Sequence, residues 1–235
     1  MSLDGELISI IIPVYNDTNH LGEVLASLEK QTFTSLEVIV VDDGSVRPIV
    51  ERHSSLPIIW LRQEHRGAPA ARNFGFTYSK GDYVLFLDAD VICSPEMFEK
   101  LHEGLQRHAE ASYAYCDHYR GVKRIASRSF DPVALRQNNY ITTMSLIRRE
   151  DFCGFDESLK RFQDWDLWLT MLEKNKAGVY VPGFLWRSYT SRSGISTWMP
   201  SFAYKFPFRY LPFFSRQVKA YEKAKRIVQE KHHLV

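Results

Sequence analysis

The first half of the chain consists of apolar runs separated by polar turns, a pattern typical of a sheet covered by helices. Four apolar segments predict buried strands: 7–15, 36–45, 57–63 and 84–87. The first of these strands is expected to end at Pro13. Residues 18–31 have the apolar spacing of a helix, and residues 67–79 have the small side chains of a closely packed one. This alternation predicts an α/β fold with a single, Rossmann-like, mostly parallel sheet flanked by helices.

The second half has a less regular pattern. One helix is predicted after Pro95 and another at 164–174, where Trp165 and Trp168 belong to an apolar stripe. Shorter strands are predicted at 111–116, 142–150 and 177–183, whereas the polar residues 117–140 are ambiguous. We therefore expect a catalytic domain at 1–197, with a nucleotide-binding half at 1–90 and an acceptor half at 91–197, followed by an extension at 198–235.

The C-terminal extension is rich in aromatic and basic residues. In its middle, aromatic residues alternate with other types: Tyr204, Lys205, Phe206, Pro207, Phe208, Arg209 and Tyr210. Three prolines up to Pro212 argue against a long helix there, while a basic helix is expected from about Ser215. It would place these apolar residues broadly on one side: Val218, Tyr221, Ile227 and Val228. The extension either covers the catalytic domain or a homodimer interface, or it anchors the protein to an anionic membrane surface.

Composition narrows the function classes. The chain has 235 residues, 45% of them hydrophobic, and a formal charge of +2, so nothing suggests a nucleic-acid partner. Cys93, Cys116 and Cys153 lack the spacing of a metal site and fit a reducing compartment. Neither a signal peptide nor a membrane-spanning run is apparent. We expect a cytoplasmic protein, with peripheral contact at the inner face of the membrane through the extension.

Polar residues follow three of the predicted strands. Pro13 and Tyr15 follow the first, Asp42 and Asp43 the second, and "DAD" at 88–90 the fourth. Ligands of open parallel sheets bind beyond the carboxyl ends of the strands. Together the three clusters therefore predict a binding site at one rim of the sheet.

Asp88 and Asp90 are candidate metal ligands. In an extended chain their side chains would point the same way and repel each other unless a cation lay between them. Two carboxylates suit Mg²⁺ or Mn²⁺, which also takes phosphate oxygens from a substrate. The alternative is a strand-end turn with two solvated aspartates.

Asp42 and Asp43 have both a structural and a functional interpretation. One of them is expected to form an Asx-turn with the following Gly44 and Ser45. The other could accept a hydrogen bond from a nucleobase N–H, with Tyr15 offering an aromatic face to the base. The alternative for Tyr15 is packing within its loop.

Seven motifs then show a resemblance over about residues 7–190. In order they are "ISIIIPVYN", "SLEKQTF", "EVIVVDDGS", "GAPAARNFG", "GDYVLFLDAD", "CGFDESL" and "QDWDLWL". This ordered set resembles glycosyltransferase family 2. The resemblance implies the A-type glycosyltransferase fold and an inverting hexosyltransferase of the polysaccharide-biosynthesis kind. It also implies Mn²⁺ or Mg²⁺, a nucleotide-diphospho-sugar donor (a UDP-sugar favoured over a GDP-sugar) and a saccharide or lipid-linked acceptor.

The resemblance also assigns roles to residues. It places Asp43 on the base, with Tyr15 stacked on the base and Pro13 in the same nucleotide site. Asp88 would lie near the ribose or the metal, and Asp90 would bind the metal directly. Arg72 would lie near the base or the phosphates, and its guanidinium could bind the diphosphate through paired hydrogen bonds. The alternative is that Arg72 is a surface arginine on a helix.

Inverting transfer needs a carboxylate that takes the proton of the acceptor hydroxyl. Asp164 is the candidate, because relatives often carry a Glu-Asp pair where this chain has Gln163-Asp164. Asp166 competes with it, but two residues along a helix differ by roughly 200° in direction, so only one faces the cleft. Alternatively, Asp164 only caps its helix.

Two departures from the family pattern keep other functions open. Gln163 replaces an acid, and Tyr189 stands where many relatives have histidine, with Arg187 and Arg192 nearby. A catalytically degenerate nucleotide-binding or partner-binding module is therefore one alternative. A nucleotidyltransferase is the other, although "PVYNDTNH" is not the Gly-rich, basic segment that such enzymes use.

Overall fold

A computed structural model describes residues 6–16, 19–51, 54–189 and 212–234, with the backbone alone at 212–217. Its strands are β1 (Ile8–Val14), β2 (Leu36–Asp43), β3 (Ile58–Gln63), β4 (Tyr83–Phe86), β5 (Val91–Cys93), β6 (Ala111–Arg120), β7 (Lys123–Ile125), β8 (Leu146–Arg148) and β9 (Ala177–Ser188). Its α-helices are α1 (Leu21–Leu28), α2 (Ala68–Tyr78), α3 (Met97–Arg107), α4 (Pro132–Gln137), α5 (Gln163–Glu173) and α6 (Pro212–Lys231).

One sheet contains all of these strands and separates two hydrophobic cores. Its order is β3-β2-β1-β4-β8-β6-β9-β5, with β7 paired to β6. Along β1, Ile10 and Ile12 enter the core that contains α1 and α3, whereas Ile11 enters the core that contains α2 and α5. This alternation follows from the two-residue period of a strand and confirms the α/β fold with helices on both faces.

The first four strands form the parallel part of the sheet, as predicted. β1 pairs in parallel with β2 and β4, and β2 pairs in parallel with β3. α2 lies close to this sheet at Gly75, where an added Cβ would come within 2.6 Å of the Ile11 Cγ2 atom. The small residues of this helix therefore permit the close packing that the sequence indicates.

The prediction that the first strand ends at Pro13 is wrong by one residue. Pro13 lies inside β1, paired with Val41, and the strand ends at Val14. The β4 pairing extends only as far as Ile11 opposite Phe86. Pro13 therefore has a paired strand only on its β2 side, which explains why a residue without an N–H fits there.

The strands after residue 90 extend the sheet in mixed directions. β8 pairs antiparallel with both β4 and β6, and β9 runs parallel to β6. β9 is longer than predicted because its last residues pair with β5, a short strand that the sequence pattern did not indicate. The ambiguous residues 117–140 hold the end of β6, all of β7, and α4.

The last helix packs against the catalytic domain. Val218 and Val228 of α6 are buried, and Val228 joins the core that contains α5. Ile227 is 45% exposed, so the prediction that it shares the apolar side is wrong. The aromatic stretch around 204–210 lies outside the described residues. Across the described ranges, the structure contains no helix with the length and apolar character needed to cross a bilayer.

Candidate active site

The predicted polar clusters meet at one rim of the sheet. β1, β2 and β4 run in the same direction, so Tyr15, Asp43 and Asp88 follow strand ends on the same side. The segment after β4 is not extended, however. The Val91 N–H donates to the Asp88 carbonyl at 3.1 Å, which closes a turn over 88–91. The relation between Asp88 and Asp90 is thus set by a turn and not by strand alternation.

Asp42 has the structural role that was expected for one member of its pair. Its carboxylate accepts from the Ser45 N–H at 2.9 Å and from Arg62 Nη1 at 2.7 Å. Gly44 adopts a φ of +74°, and a Cβ there would come within 2.6 Å of the His65 amide nitrogen. The turn after β2 therefore requires both the aspartate and the glycine.

Asp43 is almost fully enclosed, with 2% of its surface exposed. Its Oδ1 accepts from Gln63 Nε2 at 2.7 Å and from the Arg66 N–H at 2.9 Å. Its Oδ2 accepts from the Gly67 N–H at 2.8 Å, and His65 Nδ1 lies 2.9 Å away. His65 Nδ1 also lies 3.1 Å from the Asp43 carbonyl oxygen, so three hydrogen-bond donors and the His65 ring enclose the carboxylate. Direct pairing of Asp43 with a base would therefore require the Gln63 or His65 side chain to move.

Tyr15 forms an aromatic pair that the sequence analysis missed. Its ring stacks on His65, with centroids 3.9 Å apart and planes at 18°. Tyr15 is still 44% exposed. His65 reaches this rim because Gln63, at the end of β3, pairs with Asp43, a register that the sequence pattern does not encode.

Arg72 connects the two halves of the site. Its Nη2 lies 2.8 Å from Asp88 Oδ1, and its Nη1 donates to Gln163 Oε1 at 3.2 Å. The side chain is largely buried, and its guanidinium also lies 5.3 Å from the centre of the Phe155 ring. The alternative of a surface arginine is therefore wrong. Gln163 orients its amide by donating from Nε2 to the Leu159 carbonyl at 3.0 Å.

Asp164 lies in the first turn of α5, partly buried. Its Oδ1 accepts from the Trp165 N–H at 2.9 Å, and its Oδ2 accepts from Asn139 Nδ2 at 2.7 Å. Burial raises the pKa of this carboxyl, while the Trp165 N–H and the positive charge of Arg72 oppose the rise. Asp164 thus satisfies one backbone N–H of the helix and also faces the Arg72 network.

Asp166 lies on another side of α5, as helix geometry predicts. Its Oδ1 is 2.8 Å from Lys231 Nζ and 2.9 Å from His232 Nε2, both at the C-terminal end of the chain. It is 2% exposed and packs under α6. Of the two aspartates, Asp164 is the one placed toward Arg72.

Asp90 lies beside Tyr189, one of the two departures from the family pattern. The Tyr189 N–H donates to the Asp90 carbonyl at 3.0 Å. The Tyr189 ring stacks on His20 at 3.9 Å, and its hydroxyl donates to Glu23. Of the two arginines that the sequence places near Tyr189, Arg187 belongs to β9 and Arg192 lies outside the described residues.

A divalent cation fits the chemistry of Asp88 and Asp90. Within the described ranges, no group of three or more His, Cys, Asp and Glu residues could hold a metal ion. Mg²⁺ and Mn²⁺ sites often use only one or two carboxylates and complete their coordination with substrate phosphates. Asp88 keeps 39% of its side chain exposed beside Arg72, so its second oxygen offers a hard donor at the rim.

Comparison with known proteins identifies the family. Residues 9–160 match the family model for glycosyl transferase family 2. The chain belongs to glycosyltransferase family 2. It is 30% identical over 210 residues to an uncharacterized glycosyltransferase of Haemophilus influenzae, an alignment that covers 81% of this chain and 71% of the relative.

Solved structures of glycosyltransferases share the A-type fold of this chain. TarS of S. aureus in complex with UDP-GlcNAc aligns with a TM-score of 0.66 and 20% identity, over 83% of this chain and 62% of that chain. Mannosyltransferase PcManGT of Pyrobaculum calidifontis, in complex with GDP-Man and Mn²⁺, aligns with a TM-score of 0.62 and 17% identity, over 81% and 59%. The chain therefore spans about three fifths of these structures' length.

Proposed function

We propose that this chain transfers a hexose, with inversion, from a nucleotide-diphospho-sugar to an acceptor hydroxyl, with Asp164 as the general base. The observation that carries the proposal is the Arg72 bridge. It joins Asp88, at the end of a strand in the nucleotide-binding half, to Gln163, the neighbour of the proposed base. A donor at Asp88 and an acceptor at Asp164 would thus meet across one buried guanidinium.

The chemistry assigned to Asp164 requires a carboxylate with a raised pKa. The acceptor oxygen attacks the anomeric carbon, its proton moves to Asp164, and the bond to the diphosphate breaks with the electron pair leaving on the phosphate oxygen. A base is more effective when its pKa lies nearer the working pH. Burial moves the Asp164 pKa in that direction.

Donor binding is assigned to the rim on the other side of Arg72. Tyr15 offers an exposed ring to the base, Pro13 and Asp43 shape the nucleotide pocket, and Arg72 neutralises phosphate charge. The chemistry that a divalent cation would supply at Asp88 and Asp90 is neutralisation of the departing diphosphate. Of the similar structures, one is a complex with UDP-GlcNAc and one with GDP-Man and Mn²⁺, which supports a nucleotide-sugar donor. The preference for UDP over GDP stays a prediction.

The decisive experiment compares Asp164→Asn with Asp166→Asn. Release of nucleoside diphosphate from a panel of UDP- and GDP-sugars is measured, alongside nucleotide binding by calorimetry with Mn²⁺. We expect Asp164→Asn to bind nucleotide normally and to lose about 10²–10⁴-fold in rate. An asparagine at this position can accept from the Trp165 N–H or from Asn139 Nδ2 but not from both, so a modest fall in melting temperature is expected, and normal nucleotide binding is the check that the fold is kept. A fully active Asp164→Asn variant would refute the proposed base.

The family assignment argues against a nucleotidyltransferase, and the same panel tests the degenerate module. UDP or GDP binding without turnover of any donor would favour a module that binds nucleotide but does not react.

For location, we propose a cytoplasmic enzyme that meets a saccharide or lipid-linked acceptor at the inner face of the membrane. The three cysteines are free thiols, which agrees with a reducing compartment.

A further inference from the structure

Positive charge is concentrated in two segments of the second half of the chain. Residues 118–128 contain four lysine and arginine residues and no aspartate or glutamate, and residues 182–211 have the same counts. The whole chain carries a formal charge of only +2. This local excess needs an explanation beyond average composition.

The structure brings the described parts of these segments together. The Gly121 N–H, at the turn between β6 and β7, donates to the Ser188 carbonyl at 2.9 Å, and Arg187 donates to the Gly121 carbonyl. Tyr119 pairs with Arg187 on one side and with Arg124 on the other. The two guanidinium carbons lie 4.4 Å and 6.0 Å from the centre of its ring. Arg124 also lies 5.3 Å from the centre of the Phe184 ring. We call Tyr119, Arg124, Phe184 and Arg187 the basic platform.

The basic platform lies on the same face of the sheet as the proposed base. His118 stacks on Trp186, a member of the core that contains α1 and α3, so its neighbour Tyr119 faces the other side of β6, the side of Tyr113 and α5. Tyr113 stacks on Trp168 of α5, the helix that carries Asp164, with centroids 4.5 Å apart. β6 runs in the direction of β4, since both pair antiparallel with β8. Tyr119 therefore lies at the rim that Asp88 occupies.

The cations of the basic platform have no acidic partner among the residues that the structure describes. Arg124 and Arg187 are exposed, and neither of them forms an ion pair there. The one acid of β6, Asp117, is buried and accepts from the Ser127 N–H at 2.6 Å and from the Tyr180 hydroxyl at 2.8 Å. An ordinary solvent-exposed charged surface does not require two arginines to lie against aromatic rings, and here they do so at the rim where Asp88 lies.

We propose that the basic platform binds the acceptor and that the acceptor is anionic, bearing phosphate or carboxylate groups. Guanidinium groups suit both oxyanions, and the rings of Tyr119 and Phe184 offer apolar faces to a sugar. This inference rests on the proposed glycosyl transfer, because only a group-transfer enzyme has an acceptor at this place.

The test measures binding of defined acceptors to the full chain loaded with UDP and Mn²⁺. The probes are a glycerol-phosphate oligomer, an oligogalacturonide and a neutral malto-oligosaccharide of equal length, which separate a phosphate from a carboxylate source. We expect at least one anionic probe to bind, more weakly as salt rises, and the neutral probe to fail. Arg124→Ala should weaken that binding about five- to tenfold. Arg107→Ala, the same charge change at the end of α3, the helix that precedes β6, should leave it unchanged.

Three results would overturn the inference. They are equal binding of the neutral probe, equal effects of Arg124→Ala and Arg107→Ala, and binding of a single-stranded DNA of matched charge as tight as that of the anionic saccharides. The last result would show general attraction of polyanions. Because binding needs no turnover, the readout is independent of the base. A fully active Asp164→Asn variant would refute the proposed mechanism and leave the platform test intact.

Discussion

Asn139 donates its side-chain amide to Asp164, with 2.7 Å between Nδ2 and Oδ2. The orientation of this amide is fixed, because the Ile141 N–H donates to Asn139 Oδ1 at 3.1 Å. The Trp165 N–H holds the other carboxylate oxygen at 2.9 Å. The carboxylate proposed as the base is thus held in one orientation from two sides, and Asn139 positions it.

Replacing Asn139 by alanine is expected to slow transfer about 10- to 100-fold, the usual loss when a partner that orients a reactive group is removed. An amide donor stabilises the ionised form of a carboxyl, so its loss should raise the Asp164 pKa further. The acidic limb of the rate profile should therefore move to higher pH. Steady-state rates over a pH series, with the donor KM unchanged, check both effects.

Asn138 provides a matched control for this variant. It precedes Asn139, and its Oδ1 accepts from Lys225 Nζ at 2.8 Å at the surface. Asn138→Ala should keep both the rate and the acidic limb of the wild type. An Asn139→Ala variant that is slow but titrates like the wild type would show that Asn139 acts only through folding.

The raised pKa of Asp164 predicts the pH dependence of the wild type. A base works only when deprotonated, so the rate should rise with pH as the carboxyl ionises. Because burial raises its pKa, this rise should lie above the range of an ordinary aspartate. A plot of kcat/KM against pH for the free enzyme measures it. Activity already at its plateau near pH 4 would contradict the assignment.

The sequence predicted the parts of the site that follow buried strands and missed the parts supplied by loops. Asp43 and Asp88 follow apolar runs whose period and composition indicate strands. Asn139 comes from a polar stretch without periodicity, so its contact with Asp164 depends on tertiary packing that no local pattern encodes. The enclosure of Asp43 by Gln63 and His65 likewise depends on the register of β3 against β2.

Tyr15 is expected to contribute to nucleotide affinity through its exposed ring. Tyr15→Ala should weaken UDP binding about 5- to 30-fold, equivalent to about 1–2 kcal/mol of stacking. Tyr15→Phe should retain affinity, because stacking does not need the hydroxyl. Tyr78 is exposed to the same degree, 45% against 44%, but it lies at the end of α2, so Tyr78→Ala is the control. Calorimetry that finds Tyr15→Ala and Tyr78→Ala alike would assign Tyr15 to loop packing.

The metal prediction concerns Asp90. We expect EDTA to abolish activity, Mn²⁺ or Mg²⁺ to restore it, and Asp90→Ala to lose the metal-dependent part of UDP binding while remaining folded. Asp82→Asn is the control, since Asp82 precedes β4 at its other end and accepts from the Leu7 N–H at 2.9 Å. Metal-dependent binding that survives in Asp90→Ala would remove Asp90 from the metal site.

The C-terminal end of the chain is attached to α5 through His232. Its Nε2 lies 2.9 Å from Asp166 Oδ1 and its Nδ1 lies 2.7 Å from Glu173 Oε1. Both carboxylates only accept hydrogen bonds when ionised, so both ring nitrogens must carry protons. Burial lowers the His232 pKa, but the hydrogen bonds to Asp166 and Glu173 outweigh it and the pKa is raised. Lys231 is the other charged group facing Asp166, and it also pairs with Asp156 at 2.7 Å.

This attachment should stabilise the fold in a pH-dependent way. Because the folded pKa of His232 is raised, its contribution is fully present below about pH 6.5, the unfolded value, and is lost as the pH rises through the folded pKa. His232→Gln should lower the free energy of unfolding at pH 6 by about 1.5–3 kcal/mol, the range for hydrogen bonds to charged groups. The gap to the wild type should narrow as the pH rises. Urea unfolding at several pH values measures this difference in the free energy of unfolding. The control is His233→Asn, because His233 is an exposed neighbour with a φ of 54°, which asparagine tolerates. A gap that is constant with pH would show that His232 stabilises the helix by packing alone, without its charge.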